Sequence, residues 1–106
     1  LKKTPPPFDI IKAMMPGGSV IGCPKISTLN LLNHQETDNR SVYTGSFGYI
    51  KSNGDMRFNI MIRSILNCNN ICEIAVASGV ILGSIPKKEY EENYIKAKSL
   101  LDIFKS

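Results

Sequence analysis

Histidine and cysteine are scarce in this 106-residue sequence: His34 is its single histidine, and Cys23, Cys68 and Cys72 are an odd number at unremarkable spacing. Neither a disulfide framework nor a zinc site follows from such a set. Charge of one sign is also in short supply. The net charge is +4, with lysines and arginines scattered rather than clustered, which argues against a nucleic-acid groove and favours anionic small molecules as partners. No apolar run approaches the roughly 20 residues that span a bilayer, and the first residues do not form a signal peptide. The expectation is a cytoplasmic chain with no membrane partner. No internal repeat occurs, and no low-complexity tract beyond "PPP".

What is present is 42% hydrophobic residues in one modest domain's length of chain, enough for a core. The proline run of residues 1–7 resembles a linker, and a short helix follows in which Phe8, Ile11 and Met15 can face inward. "KISTLNLLNHQE" predicts a second helix, with Ile26, Leu29, Leu32 and Leu31 on one side, and "ETDNRS" a loop. Two strands flank "SNGD", since Asn-Gly between apolar runs signals a hairpin. A third strand, from Ile71 to about Val80, is expected antiparallel to the second after the turn "NCNN". Gly45 and Gly48 interrupt the first strand, as bulges or as points of close approach to the backbone. From Pro86 a last helix carries Tyr90, Tyr94, Ala97, Leu101 and Phe104 in a stripe expected to face the core. The class is α+β: antiparallel strands covered by helices.

"PGGSVIGCPK" has two glycines at the separation of a phosphate-binding loop, Gly17 and Gly22. Cys23 and Pro24 stand before the lysine, however, and Ile26 follows it, so the G-x-x-x-x-G-K-[ST] pattern fails. What remains is a glycine loop opening into a helix, with Pro24 at the first helical position. Its free amides can take an anion, carboxylate as well as phosphate, or form a plain turn and cap.

Two further sets carry charge where a core is expected. Strand alternation sets Phe58, Ile60 and Ile62 on one face and Met61, Arg63 and Ile65 on the other. Arg63 then either lies on a solvated face or pairs with a carboxylate that satisfies its planar fork. On the last helix Glu89, Glu92 and Lys96 fall at i, i+3 and i+7, one narrow stripe. Two carboxylates one turn apart can share a magnesium ion, with the lysine holding an anion drawn to it. A Glu-to-Lys pair at i,i+4 is also commonly a solvated ion pair.

These segments occur together and in order in one family. "PGGSVIGCPK", "YTGSFGYIKSNGDMRFNIMIRS" and "ASGVILGSIPKKEYEENYIKAKSLL" closely resemble the C-terminal part of the chorismate-utilising enzymes, which include aminodeoxychorismate synthase component I, anthranilate synthase component I and the isochorismate and salicylate synthases. The resemblance covers nearly all of the chain after the proline run. It implies a four-layer α/β/β/α fold of packed antiparallel sheets, of which residues 1–106 would be the C-terminal segment. It also implies a Mg²⁺-dependent substitution on chorismate, a ring with two carboxylates and a leaving hydroxyl. By resemblance Glu92 is a magnesium ligand and Glu89 its neighbouring carboxylate. Lys96 and the Gly79 amide resemble the holders of the ring carboxylate, Tyr43 and Arg63 the pair for the enolpyruvyl carboxylate, and Ser19 a hydroxyl lining the site.

The family often has Gly-Ala-Pro-Lys where Cys23 stands, Arg and Glu at Ser27 and Asn30, glycine at Ala77 and Asp at Gly83. Its catalytic base, general acid and a further magnesium ligand lie in segments before this one, so the 106 residues are not expected to turn over chorismate alone, and the bare apolar face and edge would make them dimerise, swap or aggregate. "PGGS", "GSFGYI" and "NGDM" lean toward aminodeoxychorismate synthase component I, with ammonia supplied by a glutamine amidotransferase. Anthranilate synthase component I is the runner-up, and a non-catalytic chorismate-binding or scaffold module the reading from another class.

Overall fold

The computed structural model describes residues 4–105. The chain divides between Met61 and Ile62 into two compact units, each taken by itself below.

In the first unit, α1 spans Pro7–Met14. Proline is favoured at a helix start because its missing N–H would be unpaired there anyway, and Asp9 in the first turn and Lys12 in the last match the helix dipole. The helix therefore takes the final residue of the expected linker; residues 1–3 of that linker lie outside the described residues. Ile11 and Met15 are half-buried as expected, whereas Phe8 is exposed.

The glycine loop is not all loop. It holds a single helical turn, α2 (Gly18–Ile21), before α3 (Lys25–Gln35), and Pro24 caps α3 rather than opening it. Both Met15–Pro16 and Cys23–Pro24 are cis peptides. Leu32 is half-buried, but Ile26, Leu29 and Leu31 are exposed. The apolar side of α3 is thus present and largely uncovered.

Strands β1 (Ser46–Ile50) and β2 (Met56–Ile60) form the expected antiparallel hairpin, Ser46 opposite Ile60 and Ile50 opposite Met56. The turn explains its own sequence. Gly54 adopts φ +90°, open to glycine at no steric cost, while Asn53 accepts from the Asp55 amide at 3.1 Å and donates to the Asp55 carboxylate at 2.8 Å. Gly48 is a point of close approach, because a Cβ there would collide with the Arg57 carbonyl and come within 2.6 Å of the Phe58 ring.

The second unit begins where a continuous strand was expected. The β1–β2 register ends at Ile60, Met61 still exchanges backbone hydrogen bonds with Gly45 and Thr44, and Arg63 takes φ +51° in the bend that follows. So the alternation drawn through Met61, Arg63 and Ile65 does not hold: Arg63 sits in a bend, exposed. Pairing resumes as β3 (Ile65–Cys68) against β4 (Ile71–Ile74). Their turn residues Asn69 and Asn70 have φ +52° and +63°, the left-handed conformation that asparagine tolerates and that two-residue hairpins require. The third strand thus pairs where expected but ends at Ile74, and residues 75–85 have no regular structure. The α+β class with antiparallel pairing is as expected, arranged as two two-stranded sheets.

Helix α4 (Pro86–Leu101) runs into a 3-10 turn, Asp102–Lys105. Its covered side is not the tyrosine stripe. Tyr90 and Tyr94 are 62% and 60% exposed and pack edge to face on each other, their centroids 5.4 Å apart; Leu101 and Phe104 are also exposed. Of that stripe only Ala97, at 6%, is buried. The half-buried residues beside it are Glu89, Asn93, Lys96 and Leu100, so the helix turns a largely polar face inward. Among the described residues only Ile21 and Ala97 are buried apolar side chains.

Candidate functional site

One side of α4, half-buried at Glu89, Asn93 and Lys96 and exposed at Glu92, carries the candidate site. Pro86 at its start and Glu89 in its first turn favour helix nucleation there, and the 3.6-residue period then places 89, 92, 93 and 96 together. Lys96 is the hub. Its Nζ lies 2.6 Å from Glu92 Oε1 and donates to the Ala77 carbonyl at 3.1 Å, tying the irregular segment 75–85 to the helix. Gly79, two residues beyond Ala77, has open space where a Cβ would stand. Four of the seven candidates, Gly79, Glu89, Glu92 and Lys96, therefore share one region of the second unit.

The other three lie on other elements. Arg63 occupies the exposed bend before β3. In the first unit, Ser19 is exposed on α2 and Tyr43 half-buried in the turn 41–44. The Tyr43 carbonyl accepts from Thr44 Oγ1 at 2.6 Å, and Thr44 is buried.

The lysine of "PGGSVIGCPK" is engaged within its own loop. Lys25 Nζ donates to the Met15 carbonyl at 3.2 Å, so the loop is closed by its own lysine.

Two features escaped sequence reasoning. A cleft of about 500 Å³ in the first unit is lined by Pro16, Ile21, Leu29, Leu32, Glu36 and Arg40 among others. Arg40 grips Glu36 through Nε at 2.8 Å and reaches Thr44 Oγ1 at 3.2 Å. The Arg40 hydrogen bond holds the Glu36 carboxyl below its ordinary value against a small opposing effect of burial, and Arg40 is raised in turn. The i,i+4 spacing of these two was the available signal. The second feature is Asn93, whose Oδ1 is buried without a hydrogen-bond partner among the described residues; its i,i+4 spacing from Glu89 was the signal there.

A divalent cation held on α4 would have hard oxygen ligands. Glu89 and Glu92 offer carboxylates one turn apart, and among the described residues no group of three or more His, Cys, Asp or Glu side chains comes together. Two carboxylates with water completing the shell is a donor set that suits Mg²⁺. The orphaned Asn93 oxygen is next to Glu92 in sequence, and Glu89 and Glu92 are the residues that would hold such an ion.

Residues 1–102 match the family described as chorismate binding enzyme. The chain belongs to that family. Among curated relatives it is 40% identical over 89 residues to aminodeoxychorismate synthase component 1 of Bacillus subtilis, covering 84% of this chain and 19% of that protein. To an anthranilate synthase component I-like protein of Synechocystis it is 40% identical over 93 residues, 88% and 19% of the two chains. Anthranilate synthase component 1 of Aquifex aeolicus is 36% identical over 94 residues, again 89% and 19%. The chain thus spans about a fifth of the length of these relatives. No helix among the described residues is long and apolar enough to cross a membrane.

Proposed function

We propose that this chain is the C-terminal segment of a chorismate-binding unit that aminates chorismate to 4-amino-4-deoxychorismate with Mg²⁺, using ammonia from a glutamine amidotransferase. The observation that carries the reading is the meeting of Glu92, Lys96 and the Ala77 carbonyl beside α4, inside a family match that covers nearly the whole chain. The extent of exposed apolar surface supports a segment that works as part of a larger unit.

In this reading Glu92 and Glu89 hold the ion, which supplies electrostatic relief for charge developing as the hydroxyl leaves. Lys96 holds the ring carboxylate through a charge-assisted bond, aided by the amide of Gly79, an exposed residue. The same ammonium pairs with Glu92 and donates to the Ala77 carbonyl. Arg63 is assigned to the enolpyruvyl carboxylate, for which its planar fork suits bidentate binding. Tyr43 and Ser19 are assigned by resemblance to the family.

The relatives include aminodeoxychorismate and anthranilate synthases at 40% and 36% identity, so anthranilate formation is the second reading. Products formed by the complete reading frame from chorismate, Mg²⁺ and ammonia, identified by mass, separate them. Aminodeoxychorismate retaining its enolpyruvyl group supports the proposal, and anthranilate with released pyruvate replaces it with the second reading. Unconsumed chorismate that still binds would instead indicate a non-catalytic binding module. Arg63→Ala should lower chorismate kcat/KM by at least a hundredfold, about 3 kcal/mol; unchanged kinetics remove Arg63 from the site.

A further inference from the structure

Tyr43, assigned to the enolpyruvyl carboxylate, sits in a turn that its own residues do not favour. The backbone is left-handed at Ser41, φ +51°, and again at Thr44, φ +62°. For a β-branched residue that conformation is an outlier, and such strain persists only where the surroundings over-determine it. Here they do. Within the first unit, the Thr44 amide donates to the Met61 carbonyl at 2.9 Å and the Met61 amide to the Gly45 carbonyl at 3.0 Å, which ties the end of the turn to the residue after β2. Thr44 Oγ1 accepts from Arg40 Nη1 at 3.2 Å and donates to the Tyr43 carbonyl at 2.6 Å. The Tyr43 amide donates to the Arg40 carbonyl at 2.9 Å. Both backbone polar groups of Tyr43 are therefore fixed, one of them by the hydroxyl of a buried residue. The guanidinium is itself steadied by Glu36, Nε to Oε2 at 2.8 Å, where an amide oxygen would still accept. Arg40 is raised chiefly by its hydrogen bond to Glu36, with burial opposing, and in smallest part by the Tyr43 phenol, which puts that ring within electrostatic range of the guanidinium. Glycine at position 44 would take the same φ at no steric cost, but it would leave Arg40 Nη1 and the Tyr43 carbonyl without this partner.

We propose that Thr44 is the positioning residue for Tyr43: its hydroxyl, held by Arg40, fixes the Tyr43 backbone in the orientation from which the phenol reaches the enolpyruvyl carboxylate. The inference rests on the chorismate reading above and, within it, on the assignment of Tyr43. A backbone fixed before the substrate arrives spares an ordering cost at binding, and a misplacement of about 1 Å can cost on the order of a hundredfold.

The test is steady-state kinetics with chorismate in the complete protein that carries this segment. Tyr43→Phe should raise KM about tenfold or more, because a hydrogen bond to a charged group is lost. Thr44→Val, close in shape but without the hydroxyl, should raise KM about tenfold and leave kcat within about threefold, the pattern of lost ground-state binding. Thr44→Ser, which keeps the hydroxyl, should return KM to within about threefold of the wild type. If Thr44 acts through the phenol, Thr44→Val added to Tyr43→Phe should raise KM by less than about a further twofold, whereas a merely structural role would add its full factor. Arg40→Met, which removes the donor to Thr44 Oγ1, should repeat this pattern and decides the matter if the valine variant does not fold. An unchanged KM in the folded variant, or the same rise in the Tyr43→Phe background as in the wild type, overturns the inference alone. An unchanged KM in Tyr43→Phe, or a wild type that consumes no chorismate, overturns the underlying reading and the inference with it.

Discussion

Two segments of this chain combine glycine with a lysine strap, and they are built for different ends. Between Pro16 and Lys25, Lys25 Nζ donates to the Met15 carbonyl at 3.2 Å. A Cβ on Gly18 would stand 2.8 Å from Cys23 Sγ, and one on Gly22, where φ is +106°, would stand 2.9 Å from Thr28 Cγ2. These glycines are demanded by the chain's own packing. Between Ala75 and Ile85, Lys96 Nζ donates to the Ala77 carbonyl at a similar 3.1 Å, yet neither Gly79 nor Gly83 has anything within 4 Å of a Cβ position. Here the strap holds backbone open, and its lysine also faces an acidic partner, Glu92. Glycine beside lysine is one pattern in sequence; what surrounds the missing Cβ separates a closed turn from backbone left accessible.

The lysines should separate most widely. In the complete protein Lys96→Met should cut chorismate kcat/KM by about a hundredfold or more, near 3 kcal/mol, as one partner of a charged carboxylate contact is removed. Lys25→Met should leave kcat/KM within about threefold and lower stability by about 1 kcal/mol. Equal kinetic losses would erase the distinction between the two straps.

The glycines come next. Gly22→Ala should destabilise by about 1–3 kcal/mol in denaturant unfolding, because it forces a left-handed backbone on alanine against the Thr28 methyl. Gly79→Ala meets open space and should change stability by less than about 0.5 kcal/mol while raising the chorismate KM roughly tenfold if its amide touches substrate. A Gly79→Ala protein with normal KM removes that amide from the site.

The smallest effect lies beside the closed loop, at Glu36. Its carboxyl is held below the ordinary value of 4.5 chiefly by the Arg40 hydrogen bond. The folded state therefore binds this proton less readily than the unfolded state, so the contribution is complete above about pH 4.5 and fades as pH falls through the lowered folded value. The pair is largely solvated, and the loss should stay below about 1 kcal/mol. Glu36→Gln should flatten that part of the stability profile and leave the neutral-pH kinetics unchanged.

The turn chemistry was legible in the residues. Asn53-Gly54-Asp55 and Asn69-Asn70 each close a hairpin by local hydrogen bonding or left-handed backbone, and proline marks the starts of α1 and α4. The break at residues 62–64 was not legible, since "NIMIRSIL" alternates as a strand would, yet the ladder ends at Met61 and Arg63 takes a positive φ beyond it. The inward face of α4 was misjudged for a related reason. Periodicity finds stripes but does not say which one is covered, and apolar tyrosines were assumed to win over Glu89, Asn93 and Lys96.

By itself, then, the sequence determined the α+β class, the hairpin turns, the final helix and the spacing that sets Glu89, Glu92 and Lys96 on one stripe, because each depends on residues within a few positions of one another. Tertiary structure alone decided that Glu89 and Lys96 are half-covered while Glu92 between them stays exposed, that Lys96 reaches a carbonyl nineteen residues away in sequence, and that Asn93 keeps an acceptor without a donor among the described residues. Those outcomes depend on which segments come to lie over the helix, and local pattern carries no record of that.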